Sequence, residues 1–257
     1  MAIVKLNIKE MEEACRIVSD TLLHIKKYIK AGITTIELDA IAEDFIRTQN
    51  GVPAFKGYEV DGKLFPYSLC ISIDEEVVHG MPGKRVLVEG QIISIDCGCK
   101  VNNHFGDSAF TFAVGAISEE KKNLLQVTRE SLSKGLENAI SNKKIYDISR
   151  AIQHHVESAG FSVVRELVGH GIGTHLHEEP AVPNFVPALL HRSKFPNVKL
   201  QKGQALAIEP MVNSGTFHVR TANDGWTIYT ADKRPSAHFE HTVIVDDDKP
   251  IVLTYFD

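Results

Sequence analysis

Apolar side chains along the first fifty residues recur at three- and four-residue steps. Ile8, Met11, Ala14, Cys15, Val18, Leu22, Ile25 and Ile29 would share one face of a helix over 8–30. A break at Gly32 and a cap at Thr35, with an acid in the next turn, open a second helix over 35–50. Its apolar face is Leu38, Ile41, Ala42, Phe45 and Ile46. From 57 to 115 the pattern changes to short β-rich runs, SLCISI, QIISIDCGC and SAFTFAVG. Helical periodicity returns over 119–160 in two segments broken near Ser141–Asn142, and strand-like runs follow: FSVVREL, ALAIEPMV, GWTIYT and HTVIV. Helices, strands, helices, strands is an α+β order repeated twice, not a series of βαβ units. The stretch PAVPNFVPALLHRSKFP reads as a surface loop, and the region 183–198 is a candidate border of a site entrance.

The repetition extends to particular residues. GQIISID at 90–96 and GQALAIE at 203–209 share Gly, Gln, Ile and a closing acid, and each follows an HG pair, His79-Gly80 and His170-Gly171. We therefore expect one domain over 1–257, built of halves at about 1–117 and 118–257.

A formal charge of −5 gives no electrostatic reason to expect nucleic acid or an anionic membrane as partner. No apolar run approaches the ~18–20 residues of a membrane span. The start MAIVKLNIKEMEEACRIV gains acids too early for a targeting peptide. Cys15, Cys70, Cys97 and Cys99 are too sparse for a disulfide framework, and the C-x-C pair has no second pair to complete a thiolate zinc site. A reducing cytoplasm is the expectation.

The chemistry lies in acids at strand positions. Asp96 ends an apolar run, where burial raises a carboxyl pKa unless a cation compensates. Asp107 follows eleven residues later, and a two-residue turn within KVNN puts both acids on one sheet face, opposite or one pair diagonal. Glu209 and Glu240 are symmetric about the turn dipeptide Asp224-Gly225, although a bulge in the intervening residues would shift that register. Four carboxylates in a sheet interior call for divalent cations, and two bridged ions are the arrangement of two-metal hydrolases. VGHGIGTHLHEEP adds His170, His175 and His177 at a spacing unlike HExxH, among glycines that argue against a helix.

IDCGCKVNNHFGD, VGHGIGTHLHEEP, AIEPMV and FEHTVIV, with LCISIDEEVVHGMP, resemble the motifs of the type I methionine aminopeptidases over roughly residues 4 to 254. The resemblance implies an α+β pita-bread fold, two pseudo-symmetric halves with a curved antiparallel sheet and flanking helices. It implies Asp96, Asp107, His170, Glu209 and Glu240 as ligands of two divalent ions (Co, Mn, Fe or Zn), with Asp107 and Glu240 bridging. His170 and Glu209 would serve one ion and Asp96 the other. The implied reaction removes the N-terminal methionine from newly made chains with a small second residue. In it Glu209 shuttles the proton, His79 meets the scissile amide and His177 the substrate carbonyl.

His175 inherits no role, and alternation along a strand would aim it away. Tyr58, Phe65, Cys70, Leu176 and Trp226 would line the methionine pocket, with Leu176 where an aromatic is expected. The long GYEVDGKLFPYSLC leaves Phe65 and Tyr67 competing for one place. A monovalent cation on backbone carbonyls around Asp74, Glu76 and Ser236 is also implied. The expected setting is a cytoplasmic monomer working near the ribosome, and Met1-Ala2 itself has the small second residue. The rivals are a proline-specific aminopeptidase or dipeptidase of the same fold, and a metal-free pita-bread binding protein.

Overall fold

A computed structural model describes residues 7–256; Met1-Ala2 lies outside them. Helix α1 (Ile8–Lys26) buries Met11, Ala14, Cys15, Val18, Leu22 and Ile25. It lies against strands Ile92–Val101 and His104–Ala113. It stops short of the expected residue 30, because Tyr28 N–H turns back to the Ile25 carbonyl and Gly32, at φ +98°, gives its N–H to Leu87. Helix α2 (Thr35–Thr48) is capped by Thr34, not by Thr35. Thr34 Oγ1 accepts the Glu37 N–H and the Glu37 carboxylate accepts that of Thr34, a reciprocal capping box. The Thr35 hydroxyl is engaged with the Gly83 backbone instead. Helices α3 (Glu119–Leu136) and α4 (Ile145–Ser158) flank the second half, and the break between them contains Asn142 at φ +73°.

Strands Ile92–Val101 and His104–Ala113 form one hairpin in unbroken antiparallel register about Asn102-Asn103. Both turn residues have positive φ, +45° and +64°, as the tight turn matching strand twist requires. Asp96 faces Ala109 and Asp107 faces Gly98, so the two acids are diagonal neighbours on one face. Leu69–Ile73 and the short Val52–Pro53 pair with the other edge of Ile92–Val101.

The second half repeats the theme over a longer excursion. Ala205–Ile208 pairs with His241–Ile244, Met211–Asn213 with Ser236–His238, and Val219–Thr221 with Ile228–Thr230. Every one of these pairs is symmetric about Asp224-Gly225, so the arm contains no net register shift. ALAIEPMV is therefore two strands. Pro210 has no N–H for a ladder, and at Glu209-Pro210 the chain leaves one sheet for another. The return chain switches sheets at Phe239-Glu240. Both glutamates thus stand at breaks.

Other runs are shorter than their composition suggests. FSVVREL contributes only Ser162–Val163, and GWTIYT only Ile228–Thr230, since the Asp224 carboxylate holds the Trp226 and Thr227 N–H groups in a turn. The proline-rich stretch is not wholly a surface loop. Phe185 and Phe195 are buried in the main core, Tyr146 Oη donates to the Phe195 carbonyl, and only 188–194 form a continuous exposed run.

The halves are stitched together along His104–Ala113. Thr242 Oγ1 donates to the Asp107 carbonyl at 2.7 Å, Ser108 Oγ to the Glu240 carbonyl at 2.6 Å, and Glu240 N–H to the Ala109 carbonyl at 2.9 Å. Among the described residues no helix is long and apolar enough to cross a membrane.

Candidate metal centre

A cavity of about 290 Å³ opens over this seam. Its wall includes all twelve residues singled out from the sequence: Asp96, Asp107, His170, Glu209 and Glu240; His79 and His177; and Tyr58, Phe65, Cys70, Leu176 and Trp226. Tyr67 is not on the wall but packs behind, edge-on to Phe65 at 6.1 Å. No residue of 183–198 borders the cavity. Asn184, at the base of that loop, instead donates to the Glu209 carbonyl.

The glycines beside the histidines are required by close approach. A Cβ on Gly171 would stand 2.3 Å from the Glu179 carbonyl oxygen, and one on Gly80 would stand 2.1 Å from that of Ile71. The repeated HG pair thus lets the backbone press against a neighbouring segment while the histidine turns into the cavity. His79 adopts φ +57°, an uncommon conformation for a side-chain-bearing residue. His170 lies on the short strand Gly169–Gly171, and its Nδ1 is 2.9 Å from the Gly171 carbonyl. That contact accounts for the Nδ1 proton and leaves Nε2 as the free donor of a lone pair, 3.6 Å from Glu209 Oε1.

Among the described residues no lysine or arginine lines the cavity to offset the four acids. Burial pushes Asp96 up to about 7 against the opposing pull of His238, and burial followed by repulsion from neighbouring acids pushes Asp107 and Glu240 well above the usual range. Burial alone raises Glu209 to about 8. The same burial drives His79 down to about 4 and His170 to about 3, keeping both rings neutral at neutral pH. Asp96 Oδ1, Asp107 Oδ1 and Glu240 Oε1 are buried without any hydrogen-bond partner. Ligand atoms of Asp107, His170 and Glu240 all lie within 4.8 Å of one another. A divalent cation held among them would satisfy all three at once. The residues present fit a divalent metal.

The segment after His170 is a series of bends rather than a strand, so strand alternation does not govern it. Leu176 and His177 both border the cavity, while the His175 side chain is 80% exposed and turned toward Glu178. The His177 ring meets His170 edge-on at 4.4 Å, and Tyr58 Oη lies 2.5 Å from His177 Nδ1. Desolvation lowers the His177 pKa and raises that of Tyr58, so at neutral pH the ring is neutral and the phenol protonated. A phenol donating to Nδ1 leaves the ring proton on Nε2. Beyond the acids, the three histidines and the Tyr58 hydroxyl the wall is apolar, with Phe55, Phe65, Cys70 and Leu176 buried and Trp226 edge-on to Phe65 at 5.2 Å. Phe55, Val60, Val78, Leu167, Val168 and Met211 complete it, and isolated apolar residues such as these carry no sequence signal of a pocket.

The chain matches metallopeptidase family M24 over residues 9–247. It is 51% identical to methionine aminopeptidase 1 of Bacillus subtilis over 95% of this chain and 94% of that one. It is 49% identical to the methionine aminopeptidase of Clostridium acetobutylicum, over 96% and 95%. The crystal structure of methionine aminopeptidase from Thermotoga maritima superposes with a TM-score of 0.90 at 39% identity, covering 96% of both chains. Prolidase from Pyrococcus furiosus shares the fold at a TM-score of 0.75 and 19% identity, and the match covers 97% of this chain but 64% of the prolidase.

Proposed function

The chain belongs to metallopeptidase family M24, and on that premise we propose that it hydrolyses the bond after an N-terminal methionine, in proteins and peptides whose second residue is small. The observation carrying this reading is the trio of unpartnered buried oxygens on Asp96, Asp107 and Glu240, the last two grouped with His170, in a cavity that no lysine or arginine among the described residues lines. Asp96, Asp107, His170, Glu209 and Glu240 would hold the divalent metal that the family requires. When bound, such ions polarise a carbonyl and lower the pKa of water. One histidine among carboxylates admits Mn, Fe, Co or Zn according to supply.

Glu209 takes a proton from the attacking water and delivers it to the leaving amine. His177, its Nδ1 engaged by Tyr58, donates Nε2–H to the substrate carbonyl oxygen as negative charge develops there. His79 holds the scissile amide. The methionine side chain enters the slot between Phe65, Cys70, Leu176 and Trp226, where its sulfur meets aromatic edges. Four free, buried cysteines support a reducing cytoplasm as the setting, where new chains first present their methionine.

Chelator-stripped protein resupplied with Co²⁺ or Mn²⁺ should release methionine from Met-Ala-Ser and leave Ala-Pro peptides intact. Cleavage of Ala-Pro alone would move the enzyme to the proline-specific class. Cleavage of neither would defeat the reading.

A further inference from the structure

His238 has no part in the reaction as described, yet it stands directly behind one acid of the site. It closes strand Ser236–His238 opposite Met211. Its backbone is pinned to the other half of the molecule, its N–H donating to Thr111 Oγ1 at 2.9 Å and its carbonyl accepting from that hydroxyl at 2.8 Å. The residue is 2% exposed, and Nε2 is buried with no hydrogen-bond partner. That nitrogen lies 3.4 Å from Glu209 Oε2. The other oxygen of the same carboxylate, Oε1, lies 3.6 Å from His170 Nε2. Glu209 therefore stands between two histidines, one oxygen turned to each. Asp96 is the other acid whose charge His238 feels, and His79 the neighbouring imidazole.

The terminal torsion of a glutamate is broad, so an untethered carboxylate presents either oxygen, or both, to an ion. A buried nitrogen left without a partner is costly, and a few tenths of an ångström would turn the 3.4 Å contact into a hydrogen bond. We infer that His238 is a positioning residue for the metal centre: its Nε2–H donates to Glu209 Oε2 and leaves Oε1 as the oxygen presented beside His170. This rests on the metallopeptidase reading above. Removing a hydrogen bond that orients a ligand typically costs 10–100-fold in metal affinity.

The test compares three variants of the full chain, stripped with chelator and titrated with Co²⁺ by calorimetry and visible absorption. His238→Leu should keep the wild-type circular dichroism and lose about 10–100-fold in Co²⁺ affinity. Its cobalt absorption bands should change, and kcat on Met-Ala-Ser should fall more than KM rises. His238→Gln, which keeps an N–H at similar reach, should recover most of the affinity and the wild-type spectrum. His238→Asn, polar but too short, should behave like the leucine variant, which keeps the comparison decisive if leucine impairs folding. Wild-type affinity and spectrum in His238→Leu would overturn the inference. So would rescue by Asn equal to rescue by Gln. Wild-type protein that binds no Co²⁺ would instead overturn the metallopeptidase reading itself.

Discussion

The two acid-bearing arms reach the same cavity by different means. In the first, Asp96 and Asp107 lie within continuous strands, and a two-residue turn, six positions after Asp96 and four before Asp107, fixes their relation. In the second, Glu209 and Glu240 stand where the chain leaves one sheet for another, thirty-one positions apart, with Pro210 enforcing the exit. Local turn geometry suffices for the first pair. The second depends on three successive strand pairings holding one register, and on the seam to Asp107 and Ala109. A site can thus be equally well formed on both sides while its two sides tolerate damage very differently.

The most severe way to break the comparison is to remove one buried acid from each arm. Asp107→Asn and Glu240→Gln should each lower kcat/KM on Met-Ala-Ser by about a hundred- to a thousandfold, the scale of losing a transition-state stabiliser. Calorimetry should show metal stoichiometry falling alike in both. A large effect in one arm only would mean that the second ion is dispensable.

A smaller effect tests whether the arms share one electrostatic problem. Carboxyls raised in the folded state stabilise it below their unfolded pKa values, and that stability is lost as pH climbs through the folded ones. The loss runs from the ordinary carboxyl range near 4 up to about 7 for Asp96 and about 8 for Glu209, and its upper part lies between pH 6.5 and 8. His79 at about 4 and His170 at about 3 act oppositely, losing stability as pH falls below the free-imidazole range near 6.5, so they do not mask this window. Chelator-treated protein should therefore lose on the order of 5 °C in Tm between pH 6.5 and 8. Added Mn²⁺ should reverse the trend in a thermal scan. A flat chelated profile would refute the crowding of the acids.

The mildest test addresses the turns. Asn103→Val forces a β-branched residue into φ +64° and should cost about 1–3 kcal/mol in urea unfolding, weakening metal binding with it. Asp224→Ala removes the bonds to Trp226 and Thr227 and should cost only about 1 kcal/mol, with its main effect on KM through the displaced Trp226. Equal effects on metal affinity would erase the distinction between the arms.

How far the sequence spoke follows the same division. The Asp96–Asp107 diagonal was readable from period-two alternation and a turn signal, both local. The symmetry of Glu209 and Glu240 could be counted, but the absence of a shifting bulge depends on pairings between residues far apart in the chain. The helix ends at Lys26 and Thr34 moved because backbone groups found partners at Leu87 and Gly83, which no local window contains. His238 went unnoticed although it precedes Glu240 by two. A residue at that spacing shares a strand face with the acid, which was the available signal.

The seam has a consequence for biosynthesis. Asp107 is joined to Thr242 across 135 residues, and Ser108 to Glu240 across 132. Loop closure over such spans must precede the contact, so this centre is among the last features the chain can complete. A copy still emerging from synthesis carries its first acids long before the last one exists. An unfinished chain that stops short of Glu240 therefore lacks both the seam and the fourth acid of the centre.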